Sequence, residues 1–334
     1  MDAHPLRYLS AADVSSAMPD PDERLRLAER TLTALLADAQ LPPKIGVYPR
    51  PADSFAHAMP AWMAGTAADG SADLLGLKWV AGFATNADLG LPSIHGTIIL
   101  SDASSGLPRA VMDAGVITAQ RTAAVSGVAI RHWGPPAGGA GARVAVIGAG
   151  AQARSHLPVV AHLRPGADLV LCDRDAARLE ALAREAADAS APLGSFGRVR
   201  TTTDPIAAVD GASIVLTMVS FGPDRQMIPG EAFEPDATIV AVDYDMCVPA
   251  AVASGAGLFL TDDRGQFLAT RTERVFAGYP DPHAMMGAAI RDARTRAGGR
   301  VLISHLGVGL ADVVFADAIL RTAEATGIGT IVDR

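Results

Sequence analysis

The chain has 334 residues, 49% hydrophobic and 19% charged, which is long enough for one large or two ordinary domains whose cores need no disulfides. Its 28 basic and 36 acidic residues leave a net charge of −8, which argues against nucleic acid or an anionic membrane as the main partner. Two cysteines (Cys172 and Cys247), a start (MDAHPLRYLS) without a basic segment and apolar core, and no apolar run near the roughly 18 residues of a membrane helix predict a cytoplasmic protein.

Residues 22–39 (DERLRLAERTLTALLADA) place Leu25, Ala28, Leu32, Leu35 and Leu36 at helical spacing behind an acidic first turn, which predicts an amphipathic opening helix. Proline-rich turns follow, and then GLKWVAGF and SIHGTIILSD read as strands, so the first 115 or so residues form an α+β unit. TAQRTAAVSGVAIRHW (118–133) predicts a helix with Thr118 as N-cap and Ala119, Ala123, Ser126, Ala129 and Ile130 on a small-residue face. GPPAGGAGA stops it, and a domain boundary is expected between about 118 and 142. From 143 to about 262, apolar runs (LVLCD, SIVLTMV, TIVAVD, GLFLTDD) alternate with helices such as DAARLEALAREAA, the pattern of a parallel sheet covered on both faces. Pro158 should bend the first of those helices. The tail, SHLGVGLADVVFADAILRTAEATGIGT, predicts a long helix that ends at Gly327 and packs back onto the first unit.

VAVIGAGAQA carries Gly148, Gly150 and Ala153 at G-x-G-x-x-G/A spacing, directly after a strand, with Ala151 and Gln152 opening the next helix. The first glycine permits the tight turn, the second lets a pyrophosphate approach the backbone, and the small third residue allows close helix–strand packing. Asp173 ends the following strand, 23 residues after Gly150, where a carboxylate accepts hydrogen bonds from ribose hydroxyls. These residues predict a dinucleotide site that favours NAD(H), because Asp173 repels a 2′-phosphate. Arg174, which can reach such a phosphate, keeps NADP(H) as the alternative.

From LPPK through HAMPAW, GLKWV, GLPSIHG, ITAQRTAAVSG, the GAGAQA loop and VDYD to SHLGVGLAD, nearly the whole chain resembles the ornithine cyclodeaminase and mu-crystallin family. The resemblance implies an α/β protein with a Rossmann dinucleotide-binding domain (121–305) and an α+β substrate and dimerisation domain built from both termini (1–120 and 306–334). It implies NAD(P)-dependent chemistry on amino acids through an imine, either cyclisation of ornithine or lysine with loss of ammonia, or reduction of ketimines and imino acids. A homodimer acting on a small amino, imino or oxo acid is expected, with no metal.

Carried over by position, Lys78 and Arg121 match ligands of the substrate carboxylate, and Arg121, read as near a helix N-terminus, gains peptide N–H groups and the dipole. Asp245 in AVDYDMCVP matches the family's catalytic carboxylate. Asp243 lies two residues away, where an extended backbone turns both to one side, and the choice between them stays open at this stage. Ser93 stands where the family often has threonine. Thr217, Met218 and Ser220 fall where the cofactor's ribose and nicotinamide are expected, and Asp312 is in register with a family aspartate of structural or functional role.

Two positions depart from the pattern. Lys44 replaces an arginine, with Arg50 six residues on as a substitute, and His57 replaces the glutamate that receives the side-chain amine in cyclodeaminases. With Lys44, Lys78, Arg121 and a protonated His57, the pocket carries more positive charge than one carboxylate requires. The expectation is therefore an imine reductase or amino-acid dehydrogenase with a small, acidic substrate, such as iminosuccinate giving aspartate, in which Asp245 or Lys78 manages the nitrogen's proton. The alternatives are a true cyclodeaminase, a non-enzymatic binding protein, and, for His57 itself, a neutral side chain packed beside a strand.

Overall fold

The computed structural model describes residues 5–51, 54–65, 72–136, 142–188, 193–222, 224–273, 275–296 and 298–333; the linker core at 137–141 lies outside them. The chain divides into two compact units, Met1–Arg121 with Gly307–Arg334, and Thr122–Leu306.

In chain order the first unit begins with β1 (Leu6–Leu9), α1 (Ala11–Ser16) and α2 (Pro21–Ala34). Ser10 and Asp13 form a reciprocal capping box on α1, and Asp20 caps α2 ahead of Pro21. α2 stops at Ala34, so Leu35 and Leu36 of the predicted apolar stripe lie in the turns that follow. Then come β2 (Ala39–Gln40), β3 (Ile45–Val47), β4 (Phe55–Met63), β5 (Leu74–Gly82), β6 (Ile94–Ser101) and β7 (Pro108–Asp113). The helix α3 (Gly115–Trp133) runs on into the second unit.

The second unit continues with β8 (Arg143–Ile147), α4 (Ala151–Leu163), β9 (Asp168–Cys172), α5 (Ala176–Ala187), β10 (Val199–Thr202) and α6 (Pro205–Val209). Next are β11 (Ile214–Thr217), β12 (Thr238–Ala241), α7 (Ala250–Ser254), β13 (Leu258–Thr261) and α8 (Arg264–Thr272). β14 (Ala284–Met285), α9 (Met286–Arg291) and β15 (Val301–Ser304) complete it. The chain returns to the first unit through α10 (Gly309–Thr326), closed by a left-handed Gly327, and β16 (Thr330–Val332). Of the predicted tail helix, Ser304 is the end of β15, residues 305–308 are a connection, and the helix proper starts at Gly309.

Among the described residues, the second unit's sheet has the order β10-β9-β8-β11-β12-β15-β13-β14 with every pairing parallel. Strands β11, β12, β13 and β15 are buried at every position, as expected for a sheet covered on both faces. This is an α/β, Rossmann-type architecture whose strand order reverses direction between β8 and β11, the place where such sheets open a crevice beyond their carboxyl ends.

The first unit's sheet is mixed, with order β16-β1-β7-β6-β5-β4-β2 and β3 paired to β4. One face is covered by α10, which packs on β4, β5, β6 and α2. The register pairs Met59 with Lys78 and His57 with Val80, so alternation puts His57, Met59, Lys78 and Val80 on one face. The opposite face carries Tyr8, Ile45, Leu77, Trp79, Ile99 and Val111 in adjoining rows.

Candidate functional site

In the first unit, three charged side chains meet under α10. Lys78 and Arg121 are 1% and 6% exposed and Asp312 is wholly buried. The Lys78 ammonium lies 2.6 Å from Asp312 Oδ2, and Arg121 Nε donates to Asp312 Oδ1 at 3.1 Å. Two glycines make this approach possible. A Cβ on Gly307, whose φ is +78°, would fall 2.4 Å from Arg121 Nη1, and one on Gly309 would fall 2.6 Å from the Met59 carbonyl oxygen. Burial pulls the Lys78 ammonium down to about 7, against the pull of Asp312 in the other direction; Arg121 and Lys44 add to the depression.

His57 is partly buried on β4, stacked on Phe55 with centroids 4.6 Å apart and edge-on to Tyr48 at 6.4 Å. Burial, then Lys44 and Lys78, push its imidazole down to about 4, so it is neutral at physiological pH. The expectation of a protonated His57 is corrected on that ground: two nearby cations and lost hydration both disfavour a third positive charge. Lys44 is half-buried between β2 and β3 and acts electrostatically on both His57 and Lys78. Arg50, Ser93 and His95 are exposed.

The helix-start argument for Arg121 is corrected too. Asp113 Oδ1 accepts from Gly115 N–H at 2.9 Å and so takes up the start of α3 three residues before Thr118, whose own N–H donates to Ala114. Arg121 is therefore the seventh residue of α3 and stands beyond the first turn, where the helix dipole acts.

In the second unit, the β8–α4 turn and the end of β11 flank the reversal of strand order. Gly148 has φ +107°, and a Cβ there would strike the Met218 carbonyl oxygen at 2.6 Å, so the turn fits glycine alone. A Cβ on Gly150 would meet nothing within 4 Å, which leaves open space over the α4 N-terminus for a phosphate group. Ala151, Gln152 and the buried Ala153 form the first turn of α4, which runs through Pro158 to Leu163. Asp173 Oδ2 accepts from Ala149 N–H at 2.7 Å, tying the carboxylate to the glycine turn, while Arg174 is exposed. These residues fit a dinucleotide: an open glycine cradle, unfilled helix N–H groups and a fixed ribose acceptor.

Asp243 and Asp245 do not share a side. Tyr244 between them has φ +62°, which breaks the extended run. Asp243 is buried and accepts from Thr217 Oγ1 at 2.7 Å and from Val219 N–H at 3.1 Å; burial raises its carboxyl to about 6. Asp245 Oδ2 accepts from Phe276 N–H at 2.8 Å and pairs with Arg225. Phe276 also has positive φ, 59°, so two left-handed aromatic residues frame the Asp245 carboxylate. Met218 is buried and Ser220 exposed, both directly after β11.

Several of these partners carry no sequence signature: the Phe276 N–H, Arg225 on a loop, and Asp312 as a shared counter-ion. A further buried chain joins Ser126 Oγ to His156 Nε2 and His305 Nε2, each at 2.9 Å, and His156 Nδ1 to the Gln152 carbonyl at 2.7 Å. Because that carbonyl only accepts, His156 carries its proton on Nδ1, and Ser126 donates to its Nε2. Among the described residues no group of three or more His, Cys, Asp or Glu side chains is placed to hold a metal, and no helix is long and apolar enough to cross a membrane.

A family model for the ornithine cyclodeaminase/mu-crystallin family matches residues 13–247. The nodulation efficiency protein NfeD of Rhizobium meliloti is 30% identical, with 98% of each chain covered. The ketimine reductase mu-crystallin of Rattus norvegicus is also 30% identical, over 56% of this chain and 54% of its own. The Thermococcus litoralis Δ1-pyrroline-2-carboxylate reductase, solved with NADH and L-proline, has the same fold, with TM-score 0.82, 22% identity and coverage of 98% and 100%. The family match over most of the chain and the full-length relative together establish that this chain belongs to the ornithine cyclodeaminase/mu-crystallin family.

Proposed function

We propose that the protein is an NAD(H)-dependent imine reductase or amino-acid dehydrogenase that reduces a small 2-imino acid, of the iminosuccinate type, to the amino acid. The observation that carries this reading is the buried charge set of the first unit. Lys78 and Arg121 share one carboxylate, Asp312, under the added positive field of Lys44, and His57 is neutral, so the set favours an anionic ligand. A dicarboxylic substrate answers that positive field, whereas a cationic ornithine side chain opposes it. A cyclodeaminase needs an acid for the distal amine, and Asp312 is already held by Lys78 and Arg121.

A nicotinamide dinucleotide bound along the Gly148–Gly150 turn supplies the hydride. Asp173, joined to Ala149 N–H, orients the adenosine ribose and disfavours a 2′-phosphate, which supports NAD(H) over NADP(H). Lys78 and Arg121 take the substrate α-carboxylate, with Lys44 for the second carboxylate or as a third ligand. Asp245, framed by Phe276 N–H and Arg225, is the group that delivers the nitrogen's proton. Asp243, with its hydroxyl and N–H partners, shapes the turn that bears Asp245. The outer face of the first unit's sheet, with Trp79 46%, Ile45 58% and Tyr8 46% exposed, fits a second copy of this chain and supports a homodimer. Oxidation of NADH with oxaloacetate plus ammonium should run faster than with pyruvate plus ammonium. The reverse order would remove the dicarboxylate, and proline formation from ornithine without net NADH change would favour the cyclodeaminase.

A further inference from the structure

The cluster of Lys78, Arg121 and Asp312 is an unusual way to fill a core. A buried ion pair gains little over well-packed hydrocarbon, because desolvating the charges offsets most of their attraction. Here one carboxylate serves two cations with almost no solvent to screen them, so while Lys78 is protonated the cluster keeps one uncompensated positive charge in the interior. An arrangement built for stability would balance its charges. This one has the balance of a site that awaits a single anion.

The geometry is equally particular. Asp312 belongs to the first turn of α10, where the peptide dipoles favour a carboxylate. Its two oxygens are divided, Oδ2 to the Lys78 ammonium and Oδ1 to Arg121 Nε, so it fixes cations contributed by β5 and by α3 at one point. Gly309 lets the helix come close enough to β4 to do this, and Gly307 leaves room for the rest of the guanidinium.

We propose that Asp312 is a positioning residue, the built-in counter-ion that aims Lys78 and Arg121 at the substrate carboxylate and trims their charge to the one anion they receive. The proposal rests on the reading that these two cations hold that carboxylate. It predicts a charge rule. Removing Lys78 alone leaves Arg121 neutralised by Asp312, so the cluster no longer attracts an anion. Removing Asp312 as well returns the net charge to +1, and anion binding should come back in part.

The test is calorimetric titration of pyruvate into the NADH-loaded protein at a pH about one unit below 7, where Lys78 is protonated, for wild type, Lys78→Met and Lys78→Met/Asp312→Asn. The double variant avoids the unpaired ammonium that could unfold Asp312→Asn alone. Lys78→Met should weaken pyruvate at least tenfold, the double variant should recover at least threefold of that loss, and NADH affinity should stay constant in all three. A double variant that binds pyruvate no better than Lys78→Met overturns the proposal, as does a wild type that does not bind pyruvate. Ammonium-dependent NADH oxidation measured in parallel reports on the reductase reading separately: rescue of binding without turnover in the wild type sinks that reading and leaves the role of Asp312 standing.

Discussion

The two units solve the burial of a sheet in different ways. In the second, β11, β12, β13 and β15 are apolar and buried along their whole length, and the polar groups of interest sit beyond the strand ends, at Gly148–Gly150, Asp173, Asp243 and Asp245. In the first, β5 alternates buried positions with half-buried or exposed ones, and one of its buried positions is Lys78. A fully covered parallel sheet thus serves as a scaffold for loops, whereas the single-faced sheet carries charge in its own core. The substrate recognition proposed for the first unit and the redox and proton handling proposed for the second should therefore fail in separable ways.

The largest effect is expected at Asp245, the proposed proton donor. Asp245→Asn should lower kcat roughly 100- to 10,000-fold, the usual weight of one acid–base group, with NADH affinity nearly unchanged. Lys78→Met should act on the other unit's task, raising KM for the oxo acid by about 30-fold or more, since truncating one partner of a desolvated charge pair costs at least about 2 kcal/mol. If both variants changed kcat alone, the division between the units would be wrong.

The next effect is on pH dependence. The Lys78 ammonium, depressed to about 7 by burial, is lost as pH rises through that value, so KM should climb above neutrality by at most about tenfold per pH unit. Below about 7 the ammonium is present and KM should be flat; His57, pushed down to about 4, does not titrate in that range. A KM independent of pH from 6 to 9 would exclude Lys78 as a carboxylate ligand. Asp173→Ala should weaken NADH by about tenfold, close to 1.4 kcal/mol, and narrow the preference over NADPH, as read by fluorescence titration. The smallest effect tests His57: exchange to Glu should raise KM for oxaloacetate more than for pyruvate, whereas equal effects would assign His57 to packing against Phe55 and Tyr48.

The same contrast explains what was legible in the sequence. The Rossmann-type unit was readable because continuous apolar strands and a glycine turn leave local marks, and because a positive φ at Gly148 can be met by one residue type. The start of α3 is hidden from the helical pattern because its signal, Asp113, lies at the end of a strand. The arrangement of Asp243 and Asp245 differs from that of an extended run because the backbone turns left at a tyrosine, a residue that gives no warning of it. Main-chain donors such as Phe276 N–H have no letter of their own. The Arg121–Asp312 bond joins residues 191 apart, beyond any local pattern. His57 marked a departure from the cyclodeaminase pattern in sequence, but its neutral state follows from burial beside Lys44 and Lys78, which only the fold supplies.

The central claim is hydride delivery to an imine carbon. NADH deuterated at the transferred C4 position, incubated with the enzyme, oxaloacetate and ammonium, should yield aspartate with one deuterium at Cα, and omission of ammonium should abolish labelling of the amino acid. Absence of labelled aspartate, together with release of ammonia from ornithine and no net NADH oxidation, would contradict the account.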